Sequence, residues 1–321
     1  MTAYKVVLLD LALLAIIILA SRLALVIHEL GGHALPARAL GATRIQIHLS
    51  PLGGGYVEWT FPPGRPSLVG KLLISLGGIA LNLLTGAAAW HFARRLKSRG
   101  LPYVALLCFG VGSVAGAVLY LGCGFYFGSG DPVGFAPDTE DISRAQGLWV
   151  VFLPVAGAIG WFSARHFSEF LEGRVRLDSP GQRMRGLLLT MGVSALCYGV
   201  LWLALRKPGV EGSTSQWRLE QEMAKEAARR SPPVPPEPPP GAPHGPIPPA
   251  VRVVIRPEEV ADRVPPPIGP LALYGITLLT LFARFWRTQP GSGQPSDIPP
   301  GVALGLAVLS AGVVAAMCFA G

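Results

Sequence analysis

Apolar residues fill seven stretches of the chain, 4–27, 68–91, 102–127, 148–166, 186–205, 270–286 and 301–320, and polar residues gather between them. A bilayer's hydrocarbon core calls for about 20 consecutive apolar residues of helix. The pattern therefore predicts an all-α polytopic membrane protein with about 6–7 transmembrane helices. The stretch at 270–286 is short for a full crossing. The first lacks a basic lead-in and a small-residue cleavage site, and it continues into polar residues, so it reads as a retained helix rather than a signal peptide.

Between the first two apolar stretches the period changes. Arg44-Ile45-Gln46-Ile47-His48-Leu49-Ser50 alternates polar with apolar, the mark of a half-buried strand. Pro51 and Gly53-Gly54-Gly55 make a turn, and Tyr56-Val57-Glu58-Trp59-Thr60 returns as a second strand, giving a small β-hairpin. Unpaired strand edges are costly in lipid, so this hairpin is expected at the interface or lining a protein cavity. From about 208 to 267 the texture changes again. Residues 215–230 read as a charged helix, and the proline-rich run after it is an extended or disordered spacer. Four segments follow: a membrane core at 1–146, additional transmembrane helices at 147–206, the charged helix and linker at 207–267, and C-terminal transmembrane helices at 268–321.

Composition agrees with the pattern. Of 321 residues, 50% are hydrophobic and only 14% charged, against roughly a quarter charged in soluble domains. This excludes a soluble globular enzyme, a secreted disulfide scaffold and whole-chain disorder. The net charge of +8 does not point to nucleic acid, because Lys and Arg gather at the ends of apolar runs as membrane anchors. The partners expected are the lipid bilayer and membrane-spanning proteins, in a multi-pass protein of a bacterial-type cell membrane. Cys108, Cys123, Cys197 and Cys318 all lie in apolar segments without metal-ligand spacing and read as small hydrophobes.

The chemistry concentrates where the first helix is expected to end, at His28-Glu29-Leu30-Gly31-Gly32-His33. Two histidines flanking a glutamate suit a zinc hydrolase: the imidazoles hold Zn2+ and the carboxylate takes a proton from metal-bound water. In H-E-x-x-H the histidines are four apart and share a helix face. Here they are five apart, about 140° around a regular helix, and one ion cannot take both. A π-helical turn, closed i→i+5, would realign them, and Gly31-Gly32 would ease the distortion. The plainer alternative is a polar pair of Glu29 with His33 and no metal. A third ligand comes most simply from Asp131, beside glycines and before Pro132. Asp138 and Asp141 are alternatives, and a solvated acidic loop is the plain reading of the cluster. Counting helices puts His33, the hairpin and Asp131 on one membrane face. Asn82 lies mid-membrane, where a buried amide most simply makes an interhelical hydrogen bond.

HELGGH at 28–33 with Ala34, GGGYV at 53–57 and GGIALN at 77–82 together resemble the intramembrane zinc metallopeptidases of the site-2 protease type, over roughly residues 15–145. In that family an H-E-x-x-H helix end is followed by a membrane-associated hairpin and a helix bearing G-P-x-x-N. A later helix supplies an aspartate. The resemblance implies that His28 and His33 bind zinc, that Glu29 is the catalytic base, and that Asn82 lies near the site. It also implies that the hairpin, with Gly54 and Gly55 at its turn, positions substrate. Three departures stand out: the extra residue between the histidines, Ile79 in place of proline, and Gly130-Asp131-Pro132 in place of L-D-G. The functional expectation is an intramembrane zinc metalloprotease cutting in or near transmembrane segments. A catalytically inactive scaffold binding membrane clients is the alternative, and few mid-membrane charges argue against a transporter. Arg94, Arg95, Lys97 and Arg99 fall on the face opposite the proposed site, which by the positive-inside rule places the amino terminus in the cytoplasm and the site outside, whereas the resemblance implies a site toward the cytoplasm.

Overall fold

In the computed structural model, the described residues are 3–52, 54–63, 66–98, 100–128, 130–133, 147–171, 179–205, 223, 226, 268–287 and 300–320. Apolar, proline-poor runs become helices because a helix satisfies its own backbone polar groups, which lipid cannot do. They are α1 (Ala3–Val26), α2 (Leu35–Ala39), α3 (Leu68–Arg95), α4 (Leu101–Phe127), α5 (Phe152–Leu171), α6 (Pro180–Leu187), α7 (Val193–Leu205), α8 (Ile268–Arg287) and α9 (Pro300–Ala320). Among the described residues, five helical stretches are long and apolar enough to cross a bilayer: Val7–Ala39, Leu68–Arg95, Leu101–Phe127, Gly147–Phe170 and Pro180–Leu201. The last two expected spans carry shorter apolar helices, Leu271–Arg284 and Pro300–Val314. The chain is thus a helical membrane protein.

Several boundaries have local causes. The fifth apolar helical stretch starts at Pro180 rather than near 186, because Ser179 and Gln182 form a reciprocal capping box and Pro180 sits in the first turn. The first helix does not end at the histidines. It passes through a π-helical segment, Ile27–Ala34, directly into α2, so one continuous rod runs to Ala39. The wider π ladder carries the backbone across both glycines, with the Leu35 N–H donating to the Leu30 carbonyl, and α2 follows without a break, Pro36 near its start.

Leu9, Leu13 and Ile16 of α1 pack against Tyr103, Val104 and Leu107 of α4 and Ala164, Phe167 and Phe170 of α5. Helix α8 lies beside α5, with the Arg284 guanidinium 4.7 Å from the Trp161 ring centroid. The hairpin forms as expected, from β1 (Arg44–Leu49) and β2 (Gly55–Thr60), antiparallel with Arg44 opposite Thr60 and Leu49 opposite Gly55. All these elements belong to one unit, Met1–Glu211 with Ile268–Gly321. The expected charged helix and proline-rich spacer fall in a second unit, Gly212–Pro267, and lie outside the described residues except for Met223 and Glu226, both helical.

Candidate metal centre

The π turn places the two histidines on one face despite their five-residue spacing, with His28 Nε2 and His33 Nε2 3.1 Å apart. Asp131 arrives from the end of α4. Gly128 caps that helix in the left-handed region (φ 61°), and Gly130 (φ 74°) turns the chain again so that Asp131 points back. The Asp131 N–H donates to the Tyr120 hydroxyl (3.4 Å), which fixes the turn. Asp131 Oδ2 then stands 3.2 Å from His28 Nε2 and 3.1 Å from His33 Nε2.

This near-equilateral triangle suits a metal ion. Donors held about 2.0–2.1 Å from a tetrahedral ion lie about 3.3–3.4 Å from one another, within a few tenths of an ångström of the edges found here. The donor chemistry agrees. His33 Nδ1–H donates to the Ile74 carbonyl at 2.6 Å, so the neutral ring offers its Nε2 lone pair to the triangle. With the two Nε2 atoms protonated instead, burial would raise the Asp131 carboxyl, but hydrogen bonds from His28 and His33 and their charge hold it at about 2. His28, His33 and Asp131 together could hold a metal ion.

Helix α3 closes the site from behind. A Cβ on Gly32 would run into the backbone of Gly77 and Gly78, so the π turn and α3 cross at backbone contact. A Cβ on Gly78 would sit 2.7 Å from His28 Nε2, His28 Cε1 and His33 Nε2. Gly78 therefore leaves the space toward which both imidazoles point. It is ten residues into α3, about 15 Å along the helix. The site is thus deeper than a helix-end position implies.

Glu29 is buried and within electrostatic reach of His28, His33 and Asp131, and its Oε2 has no hydrogen-bond partner among the described residues. The hairpin covers it: a Cβ on Gly55 would lie 3.1 Å from Glu29 Cγ. Gly54 faces open space, and the Trp59 ring centroid is 6.4 Å from that of His33. Asn82 does make an interhelical contact, its Nδ2 lying 3.3 Å from His28 Nδ1, while its Oδ1 is buried without a partner among the described residues. If His28 gives Nε2 to an ion, Nδ1 carries the proton and needs an acceptor. Turning the amide about its last torsion supplies that orphan oxygen. Such outer partners are worth about 10–100-fold in metal affinity. Asn82→Leu is accordingly expected to weaken metal binding by about 10–100-fold in a chelator competition, and Asn82→Asp, which keeps an acceptor, to restore most of it. Equal affinity in all three proteins would remove Asn82 from the site's support.

Sequence reasoning brought His28, His33, Glu29, Asp131 and Asn82 to one region, and the fold places them together. Asp138 and Asp141 lie outside the described residues. It missed Tyr120, which braces Asp131, and Gly78, which leaves room. It also assigned no role to Arg22, although a charge inside an apolar helix is itself a signal. Comparison with family models, with curated proteins and with solved structures finds no match.

Proposed function

We propose that the chain is a multi-pass intramembrane zinc metalloprotease of the site-2 type, hydrolysing peptide bonds in or near membrane-spanning segments of other proteins. The observation that carries this reading is the convergence of His28 Nε2, His33 Nε2 and Asp131 Oδ2 on the space that Gly78 leaves, beside the buried carboxylate of Glu29. Two imidazoles and a carboxylate also suit iron(II). A further carboxylate adjoining the triad favours hydrolysis, because general-base chemistry needs an acceptor with no other commitment.

Zinc held by His28, His33 and Asp131 would supply Lewis acidity toward a scissile carbonyl and bring its water's pKa to about 7. Glu29 Oε2 would serve as general base toward an attacking water and then as general acid toward the departing amide nitrogen, so that a carboxylate and an amine are released. Two outer contacts fix the ligands: the Ile74 carbonyl orients His33 and Asn82 orients His28. A helical substrate hides its carbonyls in internal hydrogen bonds and must unwind to react. The open edge of β1 offers an extended segment the backbone pairing it has lost, while β2 keeps Gly55 and Trp59 over Glu29 and His33.

The test is hydrolysis of a membrane-embedded reporter by the purified chain in vesicles, with metal content measured alongside. The wild type is expected to cleave with about one zinc per chain. Glu29→Gln should keep the ion and lose about 10²–10⁴-fold in rate. Equal cleavage by both proteins overturns the assignment. A bound ion with cleavage by neither leaves a client-binding scaffold.

A further inference from the structure

Arg22 is 5% exposed and lies near the midpoint of the apolar rod Val7–Ala39. A cation at that depth is costly unless it is matched. The hairpin turn supplies acceptors: Nη1 donates to the Ser50 carbonyl at 2.7 Å and Nη2 to the Leu52 carbonyl at 3.1 Å. Nε donates to Ser21 Oγ at 3.3 Å. From α7, the Tyr198 hydroxyl donates to the same Leu52 carbonyl at 2.9 Å and lies 3.3 Å from Ser21 Oγ. The turn closes on itself through Ser50 N–H to the Gly54 carbonyl, 3.0 Å. From there β2 runs along the rod in step with it, Gly55 reaching Glu29 and Trp59 reaching His33.

We propose that Arg22, with Tyr198, moors the hairpin tip inside the apolar span, farther along the rod from its exit than the histidines, and thereby sets the position of β2 over Glu29 and His33. His28 is six residues beyond Arg22, about 9 Å along the helix, so the tip is deeper in the membrane than the triad. Carbonyls of a turn at that depth have no water to bond, and a guanidinium there needs acceptors. Each satisfies the other. The planar fork presents Nη1 and Nη2 to two carbonyls in a fixed, spread geometry, which the single nitrogen of a lysine ammonium lacks. Arg22 touches no reacting atom; it is a positioning residue. Its importance for substrate rests on the protease reading, whereas the mooring stands on the hairpin contacts alone.

The test uses the full chain in vesicles with Gly54→Cys, a position where a Cβ meets nothing within 4 Å. Labelling of that thiol by a charged, membrane-impermeant maleimide is followed by peptide mass. With Arg22 in place labelling is expected to be slow, because the reactive thiolate does not form in lipid. Arg22→Met should accelerate it by about tenfold or more, Arg22→Lys by less, and Tyr198→Phe by a smaller factor in the same direction. Zinc content should stay at the wild-type value throughout. Where Arg22→Met fails to fold, Arg22→Lys and Tyr198→Phe carry the test. Equal rates in every folded variant overturn the mooring, even if Arg22 variants cleave poorly. Faster labelling in a chain whose wild type cleaves nothing keeps the mooring and removes the protease.

Discussion

Gly78→Ala is expected to abolish metal binding while leaving the helical fold intact. The added Cβ would lie 2.7 Å from both Nε2 atoms, closer than carbon and nitrogen approach without bonding, so either the rings move or the ion is excluded. The rings have little freedom. His33 is tied to the Ile74 carbonyl and His28 is held by Asn82, both anchored on the same helix as Gly78. The nearest atoms to the new methyl are side-chain atoms, so α3 need not shift. Gly32→Ala is the informative contrast, because its methyl would strike the backbone of Gly77 and Gly78 and force the helices apart. It should lose the ion and also about 1–3 kcal/mol of stability. Zinc per chain by elemental analysis, with circular dichroism in detergent, separates the two variants. A Gly78→Ala protein holding a full equivalent of zinc would mean that the ion does not sit where the rings point.

Asp131→Asn should lower zinc affinity by more than the roughly 10–100-fold expected for an outer partner. The substitution keeps the shape and removes the charge, leaving two neutral imidazoles and a weak amide donor. Gly128, Gly130 and the Tyr120 hydroxyl continue to hold the turn, so the loss reports on the ligand rather than the loop. Chelator competition gives the constant, and reporter cleavage should fall with occupancy. Unchanged affinity would exclude Asp131 and turn attention to Asp138 and Asp141.

Much of this architecture was legible along the chain because its signals are local. Runs of apolar residues become helices, and alternation at 44–50 becomes a strand. A five-residue histidine spacing permits convergence only through a wider turn, and that turn is present. What stayed hidden depends on partners far away in sequence. Gly31 and Gly32 look equivalent as residues that tolerate distortion, yet Gly32 meets the α3 backbone while Gly31 faces the end of the Leu81 side chain. Gly78 reads as one more small residue of a membrane helix until α3 is laid against the histidines. Tyr120 and Tyr198 look like ordinary apolar-segment aromatics, and only the folded chain brings their hydroxyls to Asp131 and to the hairpin turn. The first helix was expected to end at residues 28–33 because the apolar run stops there, and it continues because the wider hydrogen-bond ring carries the backbone across both glycines.

That wider ring has a consequence for how such a motif can vary in length. An i→i+5 turn takes up one surplus residue where it occurs, so Leu35 onward resumes ordinary winding in nearly the phase it would have had without it. A chain of this kind can gain or lose a single position between its histidines without rotating the hairpin or the proline that follow. Pattern searches fixed on one interval would treat the two forms as unrelated, although the side-chain constellation they build is the same.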